Sequence, residues 1–448
     1  MLIQLSLNME EKIKWKGYFY QPAYPKDQLP GILTFDQEEG IELELFGQFD
    51  HRENASSRDE KILLGFTSEG KKLTLFGCFG GQRGMNIPGF PTSSYSAIHL
   101  FVGAHFEEEE DIQFNSCAIE YADINQWLGI TGFDHPRYNY EKNELQVNYK
   151  QPERICFQIS ADWRGEFEFA FFRPLEYHAP STEVNIRQAP LFHLKPDTAS
   201  SFKIFYEKYS SFNSFLALNF FTFPRTKEIN FYIDKEKAGE HDINFIRVQL
   251  YFKRGVTFEQ KENRKSRHDF LVEYKNYGSQ FEAYICKWYK LANSVDASVK
   301  ILTETLMKRG NPMQLHFISL VQALENFHRR IIFPGQRPLN SRLDEIVNRL
   351  PLKTAHVLLS NEVDFTKRVT KNRNYFTHYS ADNEKHAASL SELFILSEKL
   401  KIICIVMMLR QIEFDDEQID KMILTKGVYL FNHIISTKKY ADYIQQNW

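Results

Sequence analysis

Cysteine is scarce in this chain and never clustered. The five cysteines, Cys78, Cys117, Cys156, Cys286 and Cys404, lie far apart, with an odd total and no C-x-x-C pair. Neither a disulfide framework nor a structural zinc site is expected, and a reducing cytoplasm fits best. Long apolar runs are missing too: the most apolar stretch, Ile402 to Leu409, is far below the roughly 20 residues that span a bilayer. The N-terminal MLIQLSLNMEEKIKWKG has no basic n-region and no small-residue cleavage site, so it reads as part of the mature fold. P-loop, H-E-x-x-H and G-x-S-x-G motifs are absent, which removes the commonest phosphate-cradle, zinc-protease and serine-hydrolase readings. The net charge of −3 gives no strong global field for a polyanion.

Aromatic residues are abundant instead. They make up 15% of 448 residues, with 39 Phe and 22 Tyr, a usage that suits packed strands in a chain of about three domains' length. From Lys14 to about Phe133, short alternating or apolar runs such as GILTF, IELELFG, KKLTLFGCF and SAIHLFVGAHF are separated by turn residues, the pattern of a β-rich sandwich or barrel. ERICFQIS, GEFEFAFF, KEINFYID and INFIRVQLYFKR continue it to about Lys275, around one helix near Ala199 to Leu216.

After about Ser279 the apolar period changes from two to 3.6. Helices are expected over FEAYICKWYKLAN, DASVKILTETLMKRG, Met313 to Phe333, a short segment N-capped by Ser341, Glu362 to about Phe376, Lys385 to Gln411, and from Asp415 onward. The fold class is therefore multidomain α+β: a β-rich N-terminal region followed by an all-α bundle. The expected units are 1–150, 151–285 (a second β-rich unit or an extension of the first) and 295–448.

The small net charge conceals a division. Residues 295–448 hold 21 Lys/Arg and 17 Asp/Glu, so they carry +4 and residues 1–294 carry −7. Between Lys300 and Arg373 basic residues outnumber acidic ones by 13 to 6, with clusters at Lys308-Arg309, Arg329-Arg330 and Lys367-Arg368. Solvated helix faces account for most such clusters, and phosphate contact for the remainder.

Within the basic part, KNRNYFTHYS (Lys371 to Ser380) places Arg373 five residues before His378, with Asn374 beside the arginine. A permanently charged guanidinium holds a phosphate, and an imidazole that titrates near neutrality moves protons. With a ribose 2′-OH as nucleophile, RNA cleavage needs no metal. Arg followed by His with four to six residues between also occurs at Arg173/His178, Arg187/His193, Arg309/His316 and Arg349/His356. Only Arg373/His378 combines an uninterrupted helical approach, a polar neighbour and the basic part of the chain. On a straight helix a five-residue offset turns by about 140°, so a turn near His378 is needed to bring both side chains into one mouth. A surface arginine with a helix-capping histidine fits the same residues, and spacing does not decide between the two. His328 reads as a partly buried helix histidine, and the acidic run His105 to Asp111 as a solvated turn.

R-N-x3-H at a helix end, preceded by a helix carrying ALENFHRR (Ala323 to Arg330), resembles a HEPN ribonuclease domain, whose signatures are R-x4-6-H and often E-x3-K/R-K/R. Glu325, Arg329 and Arg330 fill the second pattern. GYFYQP, LPGILTFDQEEGIELELFG, SAIHLFVGAHF and NSCAIEYADINQWLGITGF resemble the N-terminal domain of ApeA-type anti-phage proteins. The resemblance implies an abortive-infection toxin: a metal-independent endoribonuclease without cofactor that cuts cellular RNA to 2′,3′-cyclic phosphate and 5′-OH ends. It further implies a homodimer with a composite cleft, and an N-terminal region that senses a phage-derived activator. Carried over, Arg373 binds the phosphate, His378 is the general acid or base, and Asn374 orients one of them. Glu325, Arg329, Arg330 and Lys371 support the site or guide RNA. The rival readings are a non-catalytic HEPN dimerisation module with a protein-recognition domain, and a carbohydrate-binding β-sandwich with a helical appendage.

Overall fold

A computed structural model describes residues 12–49, 60–85, 88–172, 185–222, 224–235, 245–253, 269–307, 312–360, 362–379, 384 and 387–430. The start of the N-terminal segment and the Lys308-Arg309 cluster lie outside these residues, as does the Arg173/His178 pair.

The first six strands are β1 (Ile13–Tyr20), β2 (Leu29–Asp36), β3 (Gly40–Leu45), β4 (Glu60–Thr67), β5 (Lys72–Met85) and β6 (Pro91–Val102). Each pairs antiparallel with its neighbours in the order β6-β3-β2-β1-β4-β5, and β5 pairs again with β6, so the barrel closes. Alternation fills the closed barrel: Leu33, Leu43, Leu45, Leu73, Leu75 and Leu100 are fully buried inside, while Glu42 and Glu44 face solvent. Gly17 is required at the β1–β4 contact, because a Cβ there would lie 2.0 Å from the Phe66 carbonyl oxygen.

Strand β6 has two partners along one edge. Its first half pairs with β3 through Ser93 to Ala97, and its last four residues, His99 to Val102, pair with β16 (Phe245–Phe252). The sheet thereby runs off the barrel into an open antiparallel extension. It is built from β8 (Ser116–Tyr121), β11 (Ile155–Ser160), β12 (Trp163–Phe172), β13 (Arg187–Pro196) and β15 (Thr226–Asp234), in the order β11-β12-β13-β8-β15-β16. The short pairs β7 (Gln113–Phe114) with β14 (Ser200–Ser201), and β9 (Arg137–Asn139) with β10 (Glu144–Gln146), stand outside it.

The aromatic excess fills this extension. Helix α1 (Ile124–Leu128) carries Trp127, whose indole N–H donates to the Val272 carbonyl at 2.9 Å. Its ring meets Phe167 from the sheet, Phe215 from α2 (Phe202–Phe220) and Phe281. Phe192 stacks on Phe212 at 3.8 Å. After α3 (Tyr274–Tyr277), α4 (Phe281–Ser294) donates its Trp288 indole N–H to the Ser211 carbonyl of α2 at 2.8 Å. One apolar core therefore continues from the sheet into the helices.

The bundle comprises α5 (Asp296–Met307), α6 (Met313–Phe327), α7 (Leu339–Val347), α8 (Leu352–Leu359), α9 (Phe365–His378), α10 (Leu390–Gln411) and α11 (Asp416–Leu430). Helix α10 is buried on nearly every side from Leu396 to Leu409, as a central helix must be. Its true start is the capping box of Ser389 and Glu392, so it begins at Leu390 and not at the expected Lys385. The expected Ser341 N-cap is also displaced. Pro338 holds that position, and Ser341 lies inside α7. The long helix expected to Phe333 stops as an α-helix at Phe327 and continues as a π-turn over His328–Ile332.

Candidate functional site

Helix α9 buries Phe365, Thr366, Val369 and Asn372, residues that recur at helical spacing and form its inner face. It packs against α6 and α7. Both ends are fixed by polar contacts. Thr366 Oγ1 donates to Asp344 Oδ1 on α7 at 2.6 Å. Asn372 donates its side-chain amide to the Arg368 carbonyl at 2.9 Å and accepts the Ala388 backbone N–H at 2.7 Å. That second bond joins the α9 terminus to the chain entering α10.

Arg373 follows Asn372, half-buried at the border of this inner face. Its Nη1 donates to Asn374 Oδ1 at 3.2 Å, while Nε is shielded from solvent and meets no acceptor among the described residues. The other cations of α9 differ. Arg368 is held by Glu362 at 3.1 Å and Glu392 at 2.8 Å, and Lys367 by Asp364 at 3.3 Å. Among the described residues neither Lys371 nor Arg373 enters an ion pair, so the unneutralised charge collects toward the C-terminal half of α9.

His378 is the last residue of α9 and is exposed. Tyr379 then adopts the left-handed conformation, φ 47° and ψ 38°, and donates its N–H to the Tyr375 carbonyl. The turn expected near His378 exists, but it comes one residue too late to bend the helix between Arg373 and His378. The helix runs unbroken through both, they diverge by the about 140° of a five-residue offset, and no hydrogen bond joins them among the described residues. The expected single mouth is not formed within one chain.

Glu325 and Arg329 pair at 2.9 Å across one turn, and Arg330 is exposed. Both arginines lie in the π-turn that continues α6, and α6 packs against α9. Among the described residues no hydrogen bond or ion pair links them to Arg373 or His378.

A second arginine and histidine do meet. Arg342 Nη1 donates to His328 Nδ1 at 2.8 Å, and both residues are fully buried. The same guanidinium donates to the carbonyls of Arg337, Phe333 and Gly335. His328 Nε2 donates to Glu345, which also accepts from Arg337. Burial holds the His328 pKa below its ordinary value despite the Glu345 bond, and the Arg342 charge adds to that depression. Glu345 is held below the usual carboxylate range by its bonds to His328 and Arg337. Every nitrogen of this histidine is committed, which makes the group a clamp between the π-turn and α7. Sequence reading did not find Arg342, because the two residues stand 14 apart around a loop, in the reverse order of the Arg-to-His spacing, and leave no local periodic signal.

A β-barrel with an open aromatic-packed sheet, joined to a helical bundle that bears basic and imidazole side chains at one helix end, defines a two-part protein of the HEPN class. Residues 14–288 match the family model described as ApeA N-terminal domain 1, and residues 318–418 match the model described as Apea-like HEPN. The first covers more than half of the chain, and the chain belongs to the ApeA family, with the anti-phage ApeA/HEPN architecture. No curated protein and no solved structure matched the chain. Among the described residues no helix is long and apolar enough to cross a membrane.

Proposed function

We propose that the chain is an abortive-infection endoribonuclease that cuts RNA without a metal at a site built on α9. The supporting observation is Arg373: a half-buried guanidinium with no carboxylate partner among the described residues, five residues before an exposed imidazole on the same helix. An unneutralised arginine is suited to a phosphate, since it presents planar paired donors and keeps its charge at every working pH.

In the proposed reaction the ribose 2′-oxygen forms a bond to phosphorus and the P–O5′ bond breaks. One proton leaves the 2′-oxygen and one arrives at the 5′-oxygen. The products are a 2′,3′-cyclic phosphate and a 5′-OH. His378 moves a proton, Arg373 neutralises charge growing on the phosphate oxygens, and Asn374 holds the guanidinium by its amide oxygen. Lys371 and Arg330 draw the strand in, and the Glu325–Arg329 pair fixes the adjoining helix.

The divergence of Arg373 and His378 on one helix supports a composite cleft. Two copies meeting at α9 would face the arginine of one with the histidine of the other. The N-terminal region would then act as the regulatory part, responding to a phage-derived activator in the cytoplasm. The same divergence favours a second reading, a non-catalytic HEPN binding module. Incubating purified full-length chain and its His378→Ala variant with total RNA under activating conditions separates the two. The nuclease reading expects cleavage by the wild type alone, with cyclic-phosphate ends; equally intact RNA in both samples refutes it.

A further inference from the structure

The open sheet holds a cavity of about 430 Å³ that the α9 chemistry does not use. It sits where β8 ends and β13 and β15 begin, beside α1. Glu120 and Asp123 are buried at its edge, and Arg187, Arg225 and Lys227 surround them. Three cations face two carboxylates, so the cavity favours an anion.

The ion pairs here are slack. Arg187 stands 3.6 Å from Glu120, Lys227 stands 3.3 Å from it, and Arg225 is 3.7 Å from Asp123. On the same sheet Arg154 with Glu168 at 2.8 Å, Lys195 with Glu166 at 2.6 Å and Arg247 with Glu228 at 2.6 Å are shorter, although the exposed Arg164–Asp197 pair is as long, at 3.6 Å. The cavity also holds one unmet donor and one unmet acceptor. Arg225 Nε and Gln126 Oε1 are shielded from solvent and have no partner among the described residues, a condition that costs about 1–3 kcal/mol for each such group until something answers it.

The frame around these groups is rigid. Gln188 donates to Asn125 Oδ1 and to the Ile130 carbonyl, each at 2.9 Å, and accepts the Gly132 N–H at 2.9 Å. The Ala122 N–H donates to the Arg225 carbonyl at 2.9 Å, which fixes the base of that arginine. Phe133 supplies an aromatic wall, itself packed on Tyr149 at 4.7 Å.

We propose that this cavity binds a nucleoside monophosphate. The phosphate lies between Arg187 and Arg225, N–H groups of the base donate to Gln126 Oε1 and the Asp123 carboxylate, and the base plane rests on Phe133. The volume lies within the roughly 300–1,000 Å³ of small-molecule sites, and a free amino acid would leave most of it empty. An inorganic anion would leave Gln126 and Phe133 unused.

Isothermal titration of the full-length chain with AMP, GMP, CMP and UMP tests the assignment, with adenosine, inorganic phosphate and glutamate as separate arms. The expected result is saturable binding of one nucleotide per chain for at least one base, at least about tenfold tighter than phosphate, glutamate or the nucleoside alone. Arg225→Gln and Arg187→Gln should each weaken binding about tenfold, the loss of one charge-assisted contact. Arg154→Gln on the same sheet should leave it unchanged. Because Arg187 is 44% exposed, its variant is expected to keep the wild-type denaturation midpoint, which keeps the test meaningful if Arg225→Gln is unstable. The proposal fails if no nucleotide binds at about 5 mM, if phosphate or glutamate binds as tightly as the nucleotide, or if the folded Arg187→Gln chain binds like the wild type.

Discussion

Arg342 donates to Nδ1 of His328 at 2.8 Å inside the bundle, so this histidine must stay neutral, with its proton on Nε2 facing Glu345. The contact ties the π-turn that carries Arg329 and Arg330 to α7, and α7 in turn holds Thr366 of α9 through Asp344. Arg342→Ala strands His328 Nδ1 and three backbone carbonyls without a donor. The expected loss is about 3–5 kcal/mol, the usual cost of breaking a buried charged network from one side. Denaturant titration checks this, and a loss under 1 kcal/mol would mean that the clamp carries little of the bundle's stability.

Removing the proposed chemistry of α9 should behave differently. His378 is exposed and Arg373 half-buried, so His378→Ala and Arg373→Lys are expected to shift the melting temperature by no more than about 2 °C. RNA cleavage should fall by at least about 100-fold in each, the range for a lost proton-transfer group, and lysine does not reproduce the planar fork of arginine. A gel-based cleavage time course beside a thermal melt reads both quantities.

In the proposed site Asn372 would be a positioning residue, since it ties the end of α9 to the chain entering α10. Asn372→Ala removes the bond to the Ala388 N–H and the one to the Arg368 carbonyl, with an expected cost of about 1–3 kcal/mol. Cleavage should drop although His378 is unchanged, and its pH profile should keep its shape. A shifted profile would instead assign Asn372 a part in the proton transfer.

Acid sensitivity is expected from the barrel–sheet junction. His99 lies among Phe76, Phe202, Tyr206 and Phe252, and burial pushes its pKa from 6.5 down to about 4. The unfolded chain therefore takes up this proton at a higher pH than the folded chain. Stability is fully present above about pH 6.5 and is lost as pH falls toward 4, on the order of 3 kcal/mol from this one group. His99→Phe should flatten that part of the stability–pH curve, measured as denaturation midpoints between pH 7 and 4.

The period change near Ser279 placed the transition from strands to helices close to where α4 begins, because amphipathic repetition is a local property that a single sequence carries. Helix ends were less legible. Pro338 outcompeted Ser341 as N-cap by fixing the backbone one turn earlier, whereas Ser389 with Glu392 had the S-x-x-E signature and was available to be read. Barrel closure was not legible, since it depends on β5 meeting β6 and on β6 changing partners at its midpoint. At the site, Arg373, Asn374 and His378 were readable as neighbours on one helix. The Arg342–His328 clamp and the slack ion pairs around Glu120 were not, because both join residues from separate elements.

The shared strand β6 makes the barrel inseparable from the open sheet. A fragment beginning after Val102 would keep the open sheet but strip β16 of the partner that covers Gln249 to Phe252. That bared edge is a template for strands of other molecules. Dissecting the chain between barrel and sheet should therefore yield a sticky, self-associating product, whatever the catalytic state of the bundle.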